Sequence, residues 1–320
     1  MSLVKIEDLW MFIGGLGIFL LSMKFIEEAL TLLSGRSFKN FFREYTKTPL
    51  RGILSGTLAT AVLQSSSMVT LMILSLVGAG IIDMKSAIGV VYGSNLGTTF
   101  TGWLVTLLGF KVNLQSAVYP FIGIGGLLFA LLPKKHKLSQ VFRLIASIGL
   151  LMLGLEFMKQ SMNGIAQGFD PSLLQGHGIL SYFIFGYIFT AIIQSSSATM
   201  MITLTALNSQ IFTLPSAAAI VIGADLGTTT TALLASIGAS KEKKQTALAH
   251  FIFNFVTDIF ALIMINPLLS FVIFALHPEE PLFSLVLFHS TFNFLGILLF
   301  VPFTGSFARL LEKHITKSVS

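Results

Sequence analysis

The sequence predicts an all-α polytopic membrane protein built from two inverted-topology repeats, each with a re-entrant helical hairpin and a broken transmembrane helix. Three observations lead there. Apolar runs of span length recur along the chain, in which 54% of residues are hydrophobic and 11% charged; about 20 apolar residues suffice to cross the hydrocarbon core. The phrase Thr60-Ala61-Val62-Leu63-Gln64-Ser65-Ser66-Ser67 returns as Thr190-Ala191-Ile192-Ile193-Gln194-Ser195-Ser196-Ser197, 130 residues later. The basic residues gather in short loops, where lysine and arginine favour the cytoplasmic side.

The first span is expected over residues 9–33. It follows Glu7 and Asp8 and has full span length, so it is expected to be retained as a helix and not removed as a signal peptide. From Arg36 to Lys47, Phe38, Phe41, Phe42 and Tyr45 recur at helical spacing against Arg36, Lys39, Arg43 and Lys47, which predicts an amphipathic helix in the membrane interface. Residues 49–80 are too short for two crossings and are interrupted by Gln64 to Ser67, which predicts a hairpin of two half-helices with its tip at the polar phrase. Residues 82–108 are expected to form a span broken at Gly93-Ser94-Asn95-Leu96-Gly97-Thr98-Thr99, and residues 113–132 another span.

The plan then restarts. Residues 141–165 match 9–33 at a shift of 132, Gly17 with Gly149 and Phe25 with Phe157. Residues 179–210 repeat the hairpin, and 212–237 repeat the broken span through Gly223, Leu226, Gly227, Thr228, Thr229 and Thr231. Residues 246–276, with a kink expected at Asn266-Pro267, and 284–304 complete the chain. Residues 1–135 thus form the first repeat, and 136–320 the second with a C-terminal span and short cytoplasmic tail.

Loop charge tests the hairpins. If both re-enter and the N-terminus is outside, the loops at 36–51, 85, 134–143, 241–244 and 309–317 all lie inside and hold 16 of the 20 lysines and arginines. Counting each hairpin as a single crossing would put the cluster from Lys134 to Arg143 outside. An odd number of crossings then separates the halves, so the hairpins enter from opposite faces and their tips can meet near the midplane, as in many secondary transporters. The net charge of +6 is explained by these loops, with no nucleic-acid role, and the absence of cysteine excludes disulfides and thiol chemistry. The chain is expected in a cell membrane, the inner membrane of a bacterium, with the C-terminus cytoplasmic.

Each second half-helix is expected to begin within the triple serine, where first-turn N–H groups lack partners and the dipole presents partial positive charge. With the Gly97-Thr98-Thr99 and Gly227-Thr228-Thr229 restarts, two such ends form a dipole cradle suited to a tetrahedral oxyanion. The opposite half-helix ends, the Gln64 and Gln194 oxygens and nearby hydroxyls offer oxygen-only coordination, which suits sodium. Together the two ions imply coupled transport.

The doubled Gln-Ser-Ser-Ser and the Gly-x-Asn/Asp-Leu-Gly-Thr-Thr element resemble the type II sodium-phosphate cotransporter family over residues 9–304. The resemblance implies binding of inorganic phosphate and sodium at Gln64, Ser65, Ser66, Ser67, Gln194, Ser195, Ser196 and Ser197. Thr98 and Thr228 join the phosphate set; Asn95, Thr99 and Thr229 join the sodium set with the two glutamines. His250-Phe251-Ile252-Phe253-Asn254 also resembles a family segment, but the large cysteine-bearing loop of animal members is missing, as is the soluble C-terminal domain of some bacterial ones. The second half carries Asp225 where the first carries Asn95. That carboxylate is either a charged sodium ligand or a proton site. Sodium serves as coupling ion with no other cofactor, the lipid bilayer is the surround, and a homodimer is left open.

Plainer readings stand beside these. Serines and threonines in membrane helices pack closely and bond back to the preceding turn, and Gly-Thr-Thr can be a packing kink. Lys24 with Glu27 and Glu28, and Glu156 with Lys159, read as ion pairs or links between helices; His250, Asn254 and Asp258, with His289 and Asn293, read as bonds between spans or as a second cation site. Rivals to phosphate symport are transport or export of another oxyanion, an anion channel, and an intramembrane serine hydrolase. The last needs His250 or His289 as its base.

Overall fold

A computed structural model describes residues 5–34, 37–107, 115–133, 136–168, 178–276 and 280–314. Arg36, Lys134, Lys135 and Lys317, counted above as topology markers, lie outside them. The described regular structure is helical throughout: α1 (Ile6–Ser34), α2 (Ser37–Tyr45), α3 (Pro49–Leu63), α4 (Ser66–Gly78), α5 (Met84–Leu104), α6 (Gln115–Leu131), α7 (Lys137–Gly168), α8 (Ile179–Ile193), α9 (Ser196–Asn208), α10 (Leu214–Ala235), α11 (Lys241–Ile263), α12 (Ile265–Leu276), α13 (Pro281–Phe300) and α14 (Thr304–His314). Among the described residues five stretches are long and apolar enough to cross a membrane: Ile6–Leu33, Lys137–Ala166, Leu214–Ala235, Lys241–Ile263 and Pro281–Lys313. The chain is a polytopic membrane protein.

The unit α3-α4-α5 recurs as α8-α9-α10, with hairpin arms of 15 and 13 residues in both copies. Local chemistry fixes the starts. Thr48 accepts the Arg51 N–H at 3.3 Å ahead of Pro49, Asp83 accepts that of Ser86 at 2.8 Å, and Thr213 that of Ser216 at 3.4 Å. The kink expected at Asn266-Pro267 is a full helix end at Met264, because the proline ring opposes the carbonyl four residues earlier and supplies no N–H.

The broken spans are a correction. α5 and α10 run through Gly93 to Thr99 and Gly223 to Thr229 without interruption. Their glycines serve close packing instead. A Cβ on Gly93 would collide with the Ile53 carbonyl of α3, and one on Gly223 with the Phe183 carbonyl of α8. Gly97 and Gly227 admit the Thr57 and Tyr187 carbonyls, which a Cβ would meet at 2.7 and 2.8 Å. The threonines bond back to their own helices: Thr98 to Ser94 O at 3.0 Å, Thr99 to Leu96 O at 2.8 Å, Thr228 to Ala224 O at 3.0 Å and Thr229 to Leu226 O at 2.7 Å. A residue pattern that can restart a helix here lets a second backbone approach an intact one.

Outside the two units, α1 lies along α7 at a glycine contact, Gly15 facing Gly154. Arg143, counted in the sequence as a loop charge, is in α7; it pairs with Glu28 of α1, and its guanidinium sits 4.8 Å from the Phe25 ring centre and 5.6 Å from that of Phe129 on α6. The acidic pair of α1 therefore divides its labour: Glu28 links helices, and Glu27 is left for the interior. Lys159 meets Glu156 at 3.5 Å within α7.

Gly93→Ala and Gly223→Ala are expected to destabilise the protein by about 1–3 kcal/mol each, the usual range for overpacking. Gly14→Ala, where a Cβ meets nothing within 4 Å, should leave thermal unfolding in detergent unchanged.

Candidate functional site

The two hairpin tips have the same backbone. Gln64 ends α3 in the left-handed region at φ 54°, ψ 27°, and Gln194 ends α8 at φ 55°, ψ 30°. Their N–H groups bond to Thr60 O and Thr190 O, both at 2.7 Å. One residue on, Ser65 and Ser195 are extended and cap the next helix, accepting the N–H groups of Met68 at 3.2 Å and Ala198 at 3.3 Å. Each triple serine thus does hold the start of a half-helix. The glutamine side chains tie the tips to the neighbouring long helices: Gln64 Oε1 accepts from Thr101 at 3.0 Å, and Gln194 Oε1 from Thr231 at 3.3 Å.

Both tips line one cavity of about 760 Å³, which Gln64 to Ser67 and Gln194 to Ser197 share with Lys24 and Glu27 of α1. The Glu27 carboxylate is within hydrogen-bonding reach of Ser65. The halves also touch directly, Ser197 Oγ donating to Thr101 Oγ1 at 3.4 Å. The cavity runs out along α4 past Ser75 to Ala79 and Ile81. The corresponding end of α9 is fastened instead, Ser209 donating to Asn163 of α7 at 2.7 Å.

Behind the tips lies a buried polar cluster. Asn95 donates to Asn254 Oδ1, its own Oδ1 is 3.1 Å from His250 Nε2, and Asn254 Nδ2 donates to Asp225 O at 2.9 Å. The Asp225 carboxyl lies against Asp258 of α11 and Asn293 of α13. Asp225 is 3% exposed and Asp258 0%, and the Asp225 carboxyl shares hydrogen bonds with Asn293 and Asp258. A small void of about 10 Å³ is lined by Asp225, His289, Thr98, Thr101, Ser196 and Ser197.

The candidate residues therefore fall into three groups. The eight residues of the two Gln-Ser-Ser-Ser phrases line the large cavity; Thr98 and Asp225 line the small void; Asn95, Thr99, Thr228 and Thr229 line neither. Because α5 and α10 are unbroken, two helix N-termini, those of α4 and α9, face the large cavity among the described residues, not four. Thr101, Lys24 and Glu27 escaped the sequence-based site. The matching Thr101 and Thr231 were visible in the repeat, but their bonds to the glutamines were not. No serine of either triplet bonds an imidazole among the described residues, and His250 Nε2 is taken up by Asn95.

Comparison with known proteins shows the family. The family described as Na+/Pi-cotransporter matches residues 18–160 and 176–300. The chain belongs to that family. It is a family of transporters and not of enzymes. Among relatives, the Bacillus subtilis protein YqeW is 28% identical over 297 residues, 92% of this chain and 94% of YqeW. YjbB of Salmonella typhimurium, whose name proposes inorganic phosphate export, is 29% identical over 277 residues, 85% of this chain and 49% of YjbB. The sodium-dependent phosphate transport protein 2A of Rattus norvegicus is 33% identical over 106 residues, 32% of this chain and 17% of the rat protein. The chain thus spans about half of YjbB and a smaller part of the rat protein. No solved structure matches it.

Replacing Gln64 with valine should cost more than its lost side-chain bond, because a β-branched residue is strained at positive φ, whereas Gln64→Gly should relax the turn. Ser65→Ala and Ser195→Ala should each remove about 1 kcal/mol of helix-cap stability. Thermal unfolding of the purified variants checks the order Gln64→Val below Gln64→Gly.

Proposed function

We propose that the chain is a sodium-coupled symporter of inorganic phosphate that binds the anion between the two hairpin tips. The observation that carries this is the single cavity shared by both Gln-Ser-Ser-Ser phrases. Capped helix N-termini in an apolar surround bind a tetrahedral oxyanion by unpaired N–H groups and partial positive charge, and Ser65 to Ser67 and Ser195 to Ser197 add hydroxyls. Gln64 and Gln194 hold the tips, and their oxygens, already directed at threonine hydroxyls, suit sodium. Names among the relatives, in the rat protein and in YjbB, support phosphate as the anion.

The halves are proposed to be inverted, with the hairpins re-entrant from opposite faces and the site exposed alternately. Loop charge supports that arrangement. It also supports a cytoplasmic opening in the pose described here: the cavity leaves the tips toward Ala79, and Lys243 lies against the adjacent Gly78. In a cotransporter the direction of net flux follows the two gradients, so phosphate export, the direction in YjbB's name, needs no different site.

Phosphate uptake into proteoliposomes should require an inward sodium gradient; uptake of equal rate without sodium would overturn the coupling. Ser66→Ala and Ser196→Ala should raise the half-saturating phosphate concentration roughly tenfold or more, the loss of one hydrogen bond to a charged ligand. Gln64→Ala and Gln194→Ala should chiefly raise the sodium requirement.

A further inference from the structure

Among the described residues two charged side chains line the large cavity, Lys24 and Glu27 of α1. They are three residues apart and so share one helix face. Glu28, next along, is engaged by Arg143, whereas the Glu27 carboxylate takes a hydrogen bond from Ser65 at the first tip. The serine fixes the direction of that bond. Ser65 Oγ accepts the Met68 N–H at 3.2 Å, which leaves its single hydrogen for the carboxylate. Glu27 is thus one hydroxyl away from the N-terminus of α4, on the cavity that the two serine triplets share.

A negative charge is an unexpected component there. Helix N-termini and hydroxyls offer donors to an anion, but an ionised carboxylate only accepts. The second half does without one. At a shift of 132 the places of Lys24 and Glu27 are held by Glu156 and Lys159, which meet each other at 3.5 Å within α7; neither lines the cavity among the described residues. Ser195 nevertheless caps Ala198 as Ser65 caps Met68, so building a tip does not require a carboxylate. An anion that carries a proton of its own gives the carboxylate a use. A carboxylate has about four lone-pair positions, enough for the Ser65 hydroxyl and a P–OH together.

We propose that Glu27 selects the transported anion by its proton, accepting a hydrogen bond from a protonated oxygen of phosphate and repelling an oxyanion that has none, such as sulfate. Phosphate and arsenate keep at least one proton at neutral pH; sulfate, also tetrahedral, keeps none. A site built to pair with a hydroxyl rejects the analogue that lacks it, because its own polar group is left unpaired, and here the unpaired group also carries a like charge. Lys24, on the same face, offsets that charge at longer range, so that anions are still drawn into the cavity. Its attraction is indifferent to the proton. The role of Glu27 rests on the proposed anion site at the tips.

The test is equilibrium binding of radioactive phosphate to the purified full chain in sodium buffer at neutral pH, with arsenate and sulfate as competitors. Arsenate should displace the label from the intact protein nearly as well as phosphate does, and sulfate should need a concentration roughly a hundredfold higher or more. Glu27→Gln keeps an oxygen for Ser65 and adds N–H donors; it should weaken phosphate about tenfold and shrink the sulfate-to-phosphate ratio by about as much. Glu27→Ala should shrink the ratio too, and decides the matter if Glu27→Gln does not yield a monodisperse protein. Lys24→Ala should weaken both anions alike. Sulfate binding as tight as phosphate in the intact protein overturns the role of Glu27, as does a ratio unchanged in both Glu27 variants; either result leaves the anion site standing. No saturable phosphate binding by the intact protein overturns the anion site and the role together. Glu27-dependent selectivity without sodium-driven phosphate uptake into proteoliposomes keeps the role and rejects the symporter.

Discussion

The structure depends on how a chain turns inside an apolar medium without leaving its backbone unpaired. Each unmet N–H or C=O in hydrocarbon costs several kcal/mol, so a reversal between two short helices is tolerable only where the turn supplies its own partners. Gln-Ser does this in two residues. The glutamine takes the left-handed conformation that ends the first arm and returns its N–H to the last turn; the serine oxygen takes the third N–H of the second arm, that of Met68 or Ala198. The N–H groups left over at the start of α4 and α9 are the part of the turn still able to bind something. The motif is thus a structural solution that leaves unpaired N–H groups at the wall of the shared cavity.

Each hairpin also needs something to lie against. Its first arm is bedded on the long helix that follows it, by glycines on both sides of the contact that bring the two backbones together. The tip is then pinned to the same helix by a glutamine–threonine bond in each half. Tip and long helix form one unit, so a displacement of the hairpin carries α5 or α10 with it. α1 and α7 are joined differently, by their own glycine contact and by Arg143 between Glu28 and two phenylalanine rings.

Much of this was legible in the sequence, for physical reasons that also explain the failures. Hairpin arms, tip residues and their recurrence could be read because a polar phrase in an apolar run admits few explanations, and its duplication fewer. The Gly-Thr-Thr elements misled because glycine lowers the cost both of ending a helix and of packing one, and only the partner backbone distinguishes the two. Asn95 and Asp225 stand at equivalent positions and share Asn254 as a neighbour. Their difference was visible as letters, yet its meaning comes from Asp258 and Asn293, which arrive from distant helices. Lys24 and Glu27 looked like half of an ion-pair network because Glu28 beside them is one; helix periodicity cannot tell which of two adjacent carboxylates turns inward.

The bond between Ser209 and Asn163 deserves a thermodynamic reading. Residue 79 stands where Ser209 stands in the other half, and it is alanine, with no group to make the matching bond. If the two halves exchange roles during a cycle, the pose with α9 fastened to α7 keeps a hydrogen bond that its counterpart lacks. A bond of that kind contributes about 0.5–1.5 kcal/mol, or roughly a two- to tenfold difference in resting population. The empty carrier would then wait for most of its time with one mouth open, and the rate at which it resets would be written partly in a single serine far from either ion.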